Sequence, residues 1–389
     1  MRCWIYIESC LHDFNATIVF LVCVTMRIMF VISDLKSGGT QRVLSLVSKE
    51  LIARKYEVCL VTLSGSASDF YEVDPRIKRI ALNLQVASSG FFDAVYMSFK
   101  RICGLRRSYQ DCRPDVVFSF LPSVNALAVL AAVALNIRLV VSERNNISKQ
   151  KISIIWSVSR RCLYPFADYV TYNSKNSYQD LRKFVKEDRL VYLPNPINIT
   201  ASHAKLSIER PFILCVGRLH YQKAYDVLIE AFVDVVKCYP EWKLFIAGVG
   251  DLENDLKRLS IDLGVSANVC WLGEVDDIER YYEAAQIYVL ASRYEGTPNS
   301  LLEAMFFGLP CVITDEIQGS DECFVDNKTC VVIPVEDPEK LSEAIKLLIK
   351  SPSIRKDIGL EARKQVDKFR IEKVIDKWEE IINTPPRLR

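Results

Sequence analysis

Ser292-Arg293-Tyr294-Glu295-Gly296-Thr297-Pro298-Asn299-Ser300-Leu301-Leu302-Glu303-Ala304-Met305 follows the apolar run Ile287 to Leu290, which reads as a buried strand. Thr297 is suited to cap a helix and Pro298 to take its first position, where a missing N–H costs nothing. Glu295 then lies in the loop before the helix, and Glu303 about a turn and a half inside it. Free N–H groups at a helix start attract phosphate, and nearby carboxylates accept hydrogen bonds from sugar hydroxyls. A strand, a polar loop and a helix start are the parts of a parallel α/β layer. The bland alternative is a loop and helix whose two glutamates are only solvated.

Working outward, short apolar runs alternate with helical segments along most of the chain. In the first half the expected strands are Arg27–Ser33, Glu57–Leu63, Asp115–Phe120, Leu139–Ser142 and Tyr169–Thr171. Helices are expected at Thr40–Arg54, Phe91–Asp111, Ser123–Leu135, Lys151–Tyr164 and Lys175–Phe184. Two prolines in Tyr192-Leu193-Pro194-Asn195-Pro196-Ile197 bias the chain toward an extended path, marking a domain junction. The second series of strands is Phe212–Val216, Lys243–Ala247, Val269–Leu272, Tyr288–Ala291, Cys311–Thr314 and Cys330–Ile333. Its helices include Ala224–Cys238, Leu252–Leu263 and Asp276–Ala285, and a final helix covers about Ile371–Ile382.

The expected architecture is two Rossmann-like domains facing a central cleft. The first spans 26–197, the second 206–370, and the segment 371–389 crosses back to the first. Residues 1–25 read as an upstream extension with Met26 as the start, or alternatively as a weak membrane anchor. The apolar run Ala16 to Met26 is short of the ~18–20 residues that span a bilayer. Glu8 and Asp13 also make the start a poor signal peptide.

At 389 residues with 50% hydrophobic content, the chain can bury two cores of ordinary size. Its 13 cysteines are odd in number and show no Cys-x-x-Cys spacing, which argues against a disulfide framework or zinc site and for a reducing compartment. His12, His203 and His220 are too scattered for a metal site; His220 lies near Arg218 and reads as an exposed loop residue, or one facing the cleft. The net charge of +2 hides a division: residues 1–200 carry 26 Lys and Arg against 16 Asp and Glu, the remainder 24 against 32. That asymmetry points to an anionic surface or substrate at the first half. No nucleic-acid motif accompanies it.

Val216-Gly217-Arg218-Leu219 and Gln222-Lys223-Ala224-Tyr225-Asp226-Val227-Leu228-Ile229 join the opening stretch in a further pattern. Together they resemble the donor domain of retaining family-four glycosyltransferases, which have the GT-B fold. The resemblance runs from about Pro211 to Ile382, with weaker ordered matches before it. It implies that Arg218 and Lys223 hold the donor diphosphate without a metal ion or other cofactor. It implies that Glu303 accepts from the ribose, that Glu295 contacts the donor sugar, and that Gly217, Gly296, Thr297, Asn299 and Ser300 surround sugar and phosphate. Gly38 and Gly39 match the first glycine loop, which faces donor phosphate and acceptor. Trp271-Leu272-Gly273-Glu274-Val275 matches the edge of the nucleobase pocket.

Ser142-Glu143-Arg144-Asn145-Asn146 follows an apolar strand and resembles the acceptor region of members that assemble lipid-linked saccharides and surface polysaccharides. Arg144 would pair with an acceptor diphosphate and Glu143 with a sugar hydroxyl, with Asn145 beside them. The alternative is a turn with a structural ion pair. Two departures stand out: Ala224 where the family often has glycine, and Leu121-Pro122 where many members have histidine. With no nucleophile evident, same-face substitution is the expected chemistry.

The resemblance implies a cytoplasmic, peripheral membrane enzyme that moves a hexose or N-acetylhexosamine, with a UDP-sugar favoured as donor. The acceptor would be a glycan or polyprenyl-diphosphate-linked saccharide. Alternatives are a GDP-mannose-dependent mannosyltransferase, a non-catalytic nucleotide-sugar-binding subunit, and a sugar-nucleotide epimerase. Phe92, Val95, Tyr96, Phe99, Ile102 and Cys103 share one helical face, with Lys100, Arg101 and Arg107 off it. That basic amphipathic helix fits either an anionic membrane surface or its own sheet.

Overall fold

The computed structural model of the protein describes residues 25–86, 90–198, 206, 208–318 and 322–384. The expected extension lies outside these residues apart from Thr25, as do His12 and His203. The first sheet contains β1 (Arg27–Ile32), β2 (Glu57–Thr62), β3 (Lys78–Ala81), β4 (Val116–Phe120), β5 (Arg138–Ser142), β6 (Tyr169–Tyr172) and β7 (Leu190–Tyr192). Its order is β3-β2-β1-β4-β5-β6-β7, and every pairing is parallel.

The second sheet contains β8 (Phe212–Val216), β9 (Lys243–Ala247), β10 (Val269–Gly273), β11 (Ile287–Leu290), β12 (Cys311–Thr314) and β13 (Val331–Ile333). Its order is β10-β9-β8-β11-β12-β13, again parallel. The central strands are continuous apolar runs because helices cover both faces of each sheet. Residues from Ile28 to Ile32 are all fully buried. The order reverses between β1 and β4 and between β8 and β11, so loops diverge there and leave a crevice at the carboxyl ends.

Two strands escaped the sequence reading. β3 is an edge strand with no fully buried residue, and β7 is an edge strand of three half-buried residues. Neither has the continuous apolar character of the interior strands. Helices Pro338–Lys350 and Pro352–Val366 also emerge, each with proline in its first turn.

The final helix, Ile371–Asn383, returns to the first domain. Phe30, Phe118 and Phe120 receive the Trp378 ring, with centroids at 6.0, 5.0 and 6.4 Å. Buried Arg138 donates to the carbonyls of Ile381 and Ile382, satisfying the end of that helix. The two crossing segments also touch: Ile197 N–H donates to Phe369 O at 2.8 Å, and Ile371 N–H to Ile197 O at 2.9 Å.

Candidate active site in the interdomain cleft

The polar loops after β1, β5, β8 and β11 meet at the carboxyl ends of the two sheets. The helix Gly39–Ala53 starts directly after Gly38, whose backbone is extended. Opposite it, the helix Asn299–Phe306 starts after Pro298. Asn299 Nδ2 donates to Gly39 O at 2.9 Å across the cleft, so the two helix N-termini face each other. Both present unpaired N–H groups and the positive end of a helix dipole, which suits a phosphate.

The cap expected from the sequence does not form. Thr297 does not cap the helix: its Oγ1 donates to Asn173 O in the first domain, and Pro298 takes the cap position. A hydroxyl pointing away from the helix leaves the helix start open. Gly296 explains why the loop can approach so closely, since a Cβ there would lie 2.5 Å from Arg144 O.

Lys223 and Glu295 come together. Lys223 Nζ lies 2.5 Å from Glu295 Oε1, which also accepts from Ser292 Oγ at 2.8 Å. Gln222 Nε2 reaches Glu295 Oε2 at 3.2 Å. Lys223 passes over Gly217, where a Cβ would meet its Cε at 3.0 Å. Gly248, at φ +137, lets β9 close on the same loop, because a Cβ there would meet Gly217 O at 2.1 Å. Arg218 is exposed, as is His220, whose Nδ1 accepts from Gln222 N–H at 3.3 Å. Ala224 adopts φ +51, a left-handed position at which glycine is more comfortable.

Arg293 locks the loop from behind. Its guanidinium lies 4.1 Å over the Tyr221 ring, donates to Asp226 at 2.7 Å and pairs with Glu336. Glu303 is buried with both oxygens engaged: Arg42 Nε stands 2.9 Å from Oε1, and Tyr282 Oη donates to Oε2 at 3.0 Å. Tyr282 Oη also lies 3.2 Å from Ser300 O. Burial raises the Glu303 pKa, with Arg42 and Tyr282 pulling the other way.

Glu143 does not open toward a sugar hydroxyl; it forms the structural ion pair of the alternative reading. It is fully buried, 3.3 Å from the guanidinium of Arg160 and accepting from Tyr164 Oη at 3.1 Å. Burial raises its pKa. Arg144 turns along the domain junction, donating to Ser142 Oγ, Leu193 O and Asn195 Oδ1 at 2.8, 2.8 and 2.9 Å. Its guanidinium lies over the Phe120 and Trp378 rings, and burial lowers its pKa to about 9. Nη2 is buried without a partner. Asn145 accepts from Asn146 N–H and, through its carbonyl, from Ser177 Oγ, both at 2.9 Å.

Two residues carry no site signal of their own in the sequence, Asn195 and Arg42. Asn195 donates to Thr297 O at 3.0 Å and Asn299 Oδ1 at 2.7 Å, while accepting from Arg144. Its position between two prolines was legible as a junction, but the partners come from long-range packing. Arg42 gave no signal beyond being a helical arginine. Leu121 adopts φ +76 directly after β4, and this strained backbone costs about 1–3 kcal/mol.

Residues 37–201 match the family described as Glycosyltransferase Family 4, and residues 198–365 match Glycosyl transferases group 1. The chain belongs to the family-four glycosyltransferases and has their GT-B fold.

Among its relatives is a Campylobacter jejuni enzyme named for adding α-1,4-N-acetylgalactosamine to a diphospho-undecaprenol-linked saccharide. It is 26% identical over 92% of this chain and 98% of its own. A second C. jejuni enzyme, a 4-α-N-acetylgalactosaminyltransferase on a diphospho-undecaprenol substrate, is 27% identical over 87% and 94%. Anabaena HepE, solved in complex with UDP and glucose, shares the fold with a TM-score of 0.77. It is 16% identical, over 92% of this chain and 100% of its own.

Proposed function

We propose that this glycosyltransferase moves a hexose or N-acetylhexosamine from a UDP-sugar to a lipid-linked saccharide or growing surface polysaccharide, with retention of anomeric configuration. The observation that carries the reading is the Lys223–Glu295 pair standing beside two facing helix N-termini. A diphosphate binds where helix starts, Lys223 and Arg218 supply positive charge, and the sugar meets Glu295. Glu303 takes the ribose.

The acceptor hydroxyl attacks the anomeric carbon from the face the diphosphate leaves. The bond from that carbon to the phosphate oxygen breaks as the new glycosidic bond forms. The acceptor proton passes to the departing phosphate, and nucleoside diphosphate is released. Fixed cations lower this barrier because charge grows on the leaving group. Glu295, the carboxylate of the donor loop, is held by Lys223, Ser292 and Gln222, which supports the same-face route over a covalent one.

The acceptor side is read as facing an anionic membrane. Half of the amphipathic helix Phe91–Cys112 packs inward through Leu105 and Tyr109, but Phe91, Phe92, Val95, Tyr96 and Phe99 are exposed, Phe92 at 88%. Ile154, Ile155 and Val158 are exposed at the start of the helix Ile154–Leu163. In a parallel sheet both helices begin on the carboxyl-end side. No described helix is long and apolar enough to cross a membrane.

The test is a transfer assay with UDP-N-acetylgalactosamine, UDP-N-acetylglucosamine, UDP-glucose and GDP-mannose, polyprenyl-diphosphate saccharides as acceptors, and EDTA present. Expected is one UDP-sugar consumed, with an α-linked product from an α-linked donor. Turnover with GDP-mannose alone, an inverted product or a strict metal requirement would each contradict the corresponding part.

A further inference from the structure

Arg42 belongs to the first domain, on the helix that follows the glycine pair, yet its guanidinium ends in the second domain. Nε stands 2.9 Å from Glu303 Oε1, and Nη2 stands 3.2 Å from Glu279 Oε1. The Glu303 side chain is only 6% exposed, against 27% for Arg42 and 20% for Glu279. The groups that face Glu303 are Arg42 and Tyr71 from the first domain, and Tyr282 and Glu279 from the second.

We propose that Arg42 is a positioning residue for nucleotide binding: by crossing the cleft to Glu303 and Glu279 it holds the ribose-accepting carboxylate in place as an acceptor. This rests on the nucleotide-sugar reading above. An isolated buried carboxylate takes up a proton rather than stay charged, and Glu279 adds repulsion. Arg42 removes both difficulties from across the cleft. An ionised carboxylate has about four acceptor positions. After Arg42 and Tyr282 take one each, lone pairs remain for ribose hydroxyls.

The test is calorimetric titration of the full chain with UDP and GDP between pH 5.5 and 8.5, in wild type, Arg42→Met, Arg42→Lys and Arg42→Met/Glu279→Gln. Binding that needs ionised Glu303 is lost as pH falls through its pKa, and removing the cation moves that loss to higher pH. Arg42→Met should bind about tenfold more weakly than wild type at pH 6 and about threefold more weakly at pH 8.5. Arg42→Lys should recover part of the affinity, and Glu279→Gln should move the acid limb of the Met variant back down. A purely structural contact would lower affinity equally at every pH, and that result overturns the proposal. So does unchanged binding, or tighter binding, which would make Arg42 a competitor of the ribose. Wild type that binds neither nucleotide overturns the donor reading as well, so the two failures are distinguishable.

Discussion

Lys223 Nζ stands 2.5 Å from Glu295 Oε1, although 72 residues separate them in sequence. The loops after β8 and β11 bring them together because those strands are neighbours at the switch point of the second sheet. The pair holds a lysine in a nearly buried position before any anion arrives. An ammonium has three donors, so Lys223 can keep Glu295 and still reach a phosphate oxygen. Removing a preorganised donor that meets developing charge costs about 10²–10³ in kcat. Lys223→Met should show that loss in a transfer assay, and Glu295→Gln should lower kcat while the protein still binds free nucleotide.

Asn195 is the hub of the cleft's other network. Asn195→Asp keeps the acceptor that Arg144 uses but sets a carboxylate oxygen against Thr297 O and Asn299 Oδ1. Two hydrogen bonds of roughly 1 kcal/mol each are lost, so donor KM should rise about 30-fold or more. Steady-state kinetics with varied donor check this, with circular dichroism confirming the fold. A loss confined to acceptor KM would show that Asn195 acts elsewhere.

Trp378 is among the largest fully buried side chains and ties the returning helix to the first sheet. Trp378→Ala should cost about 3–5 kcal/mol, read by urea unfolding. Arg144 also loses an aromatic face in that variant, so residual activity should fall further than stability alone accounts for.

The exposed apolar helix start gives a separable prediction. Lys100 and Arg107 are exposed, whereas Arg101 donates to Leu84 O and Arg106 to Val133 O, so those two are poor targets. Phe92→Ser/Phe99→Ser and Lys100→Glu/Arg107→Glu should each reduce flotation with liposomes rich in anionic lipid. Unchanged flotation by both would exclude this helix as the membrane contact.

The sequence made the interior strands legible, because strands buried on both faces are unbroken apolar runs. β3 and β7 were hidden by their half-exposed edges. Lys223, Glu295 and Glu303 were singled out by a resemblance, and the structure adds that Lys223 and Glu295 form one unit. Glu143 was open to two readings, an acceptor contact or half of a structural ion pair, and its partner Arg160 lies on the separate helix Ile154–Leu163, which no local pattern points to. Thr297 misled because a local cap competes with a tertiary partner, Asn173, that no local pattern reveals. Arg42 and Asn195 reach partners across the cleft, and nothing near them in sequence identifies those partners.

On this reading the cleft binds a nucleotide sugar through the residues after β8 and β11. The most direct measurement is a thermal-shift panel of UDP-, GDP-, ADP- and dTDP-sugars on the wild type and on Arg218→Ala. A ligand that binds only the folded state raises the melting temperature. The account predicts stabilisation by UDP-sugars that is lost or sharply reduced in Arg218→Ala. No shift with any nucleotide sugar, or the same shift in both proteins, would contradict it.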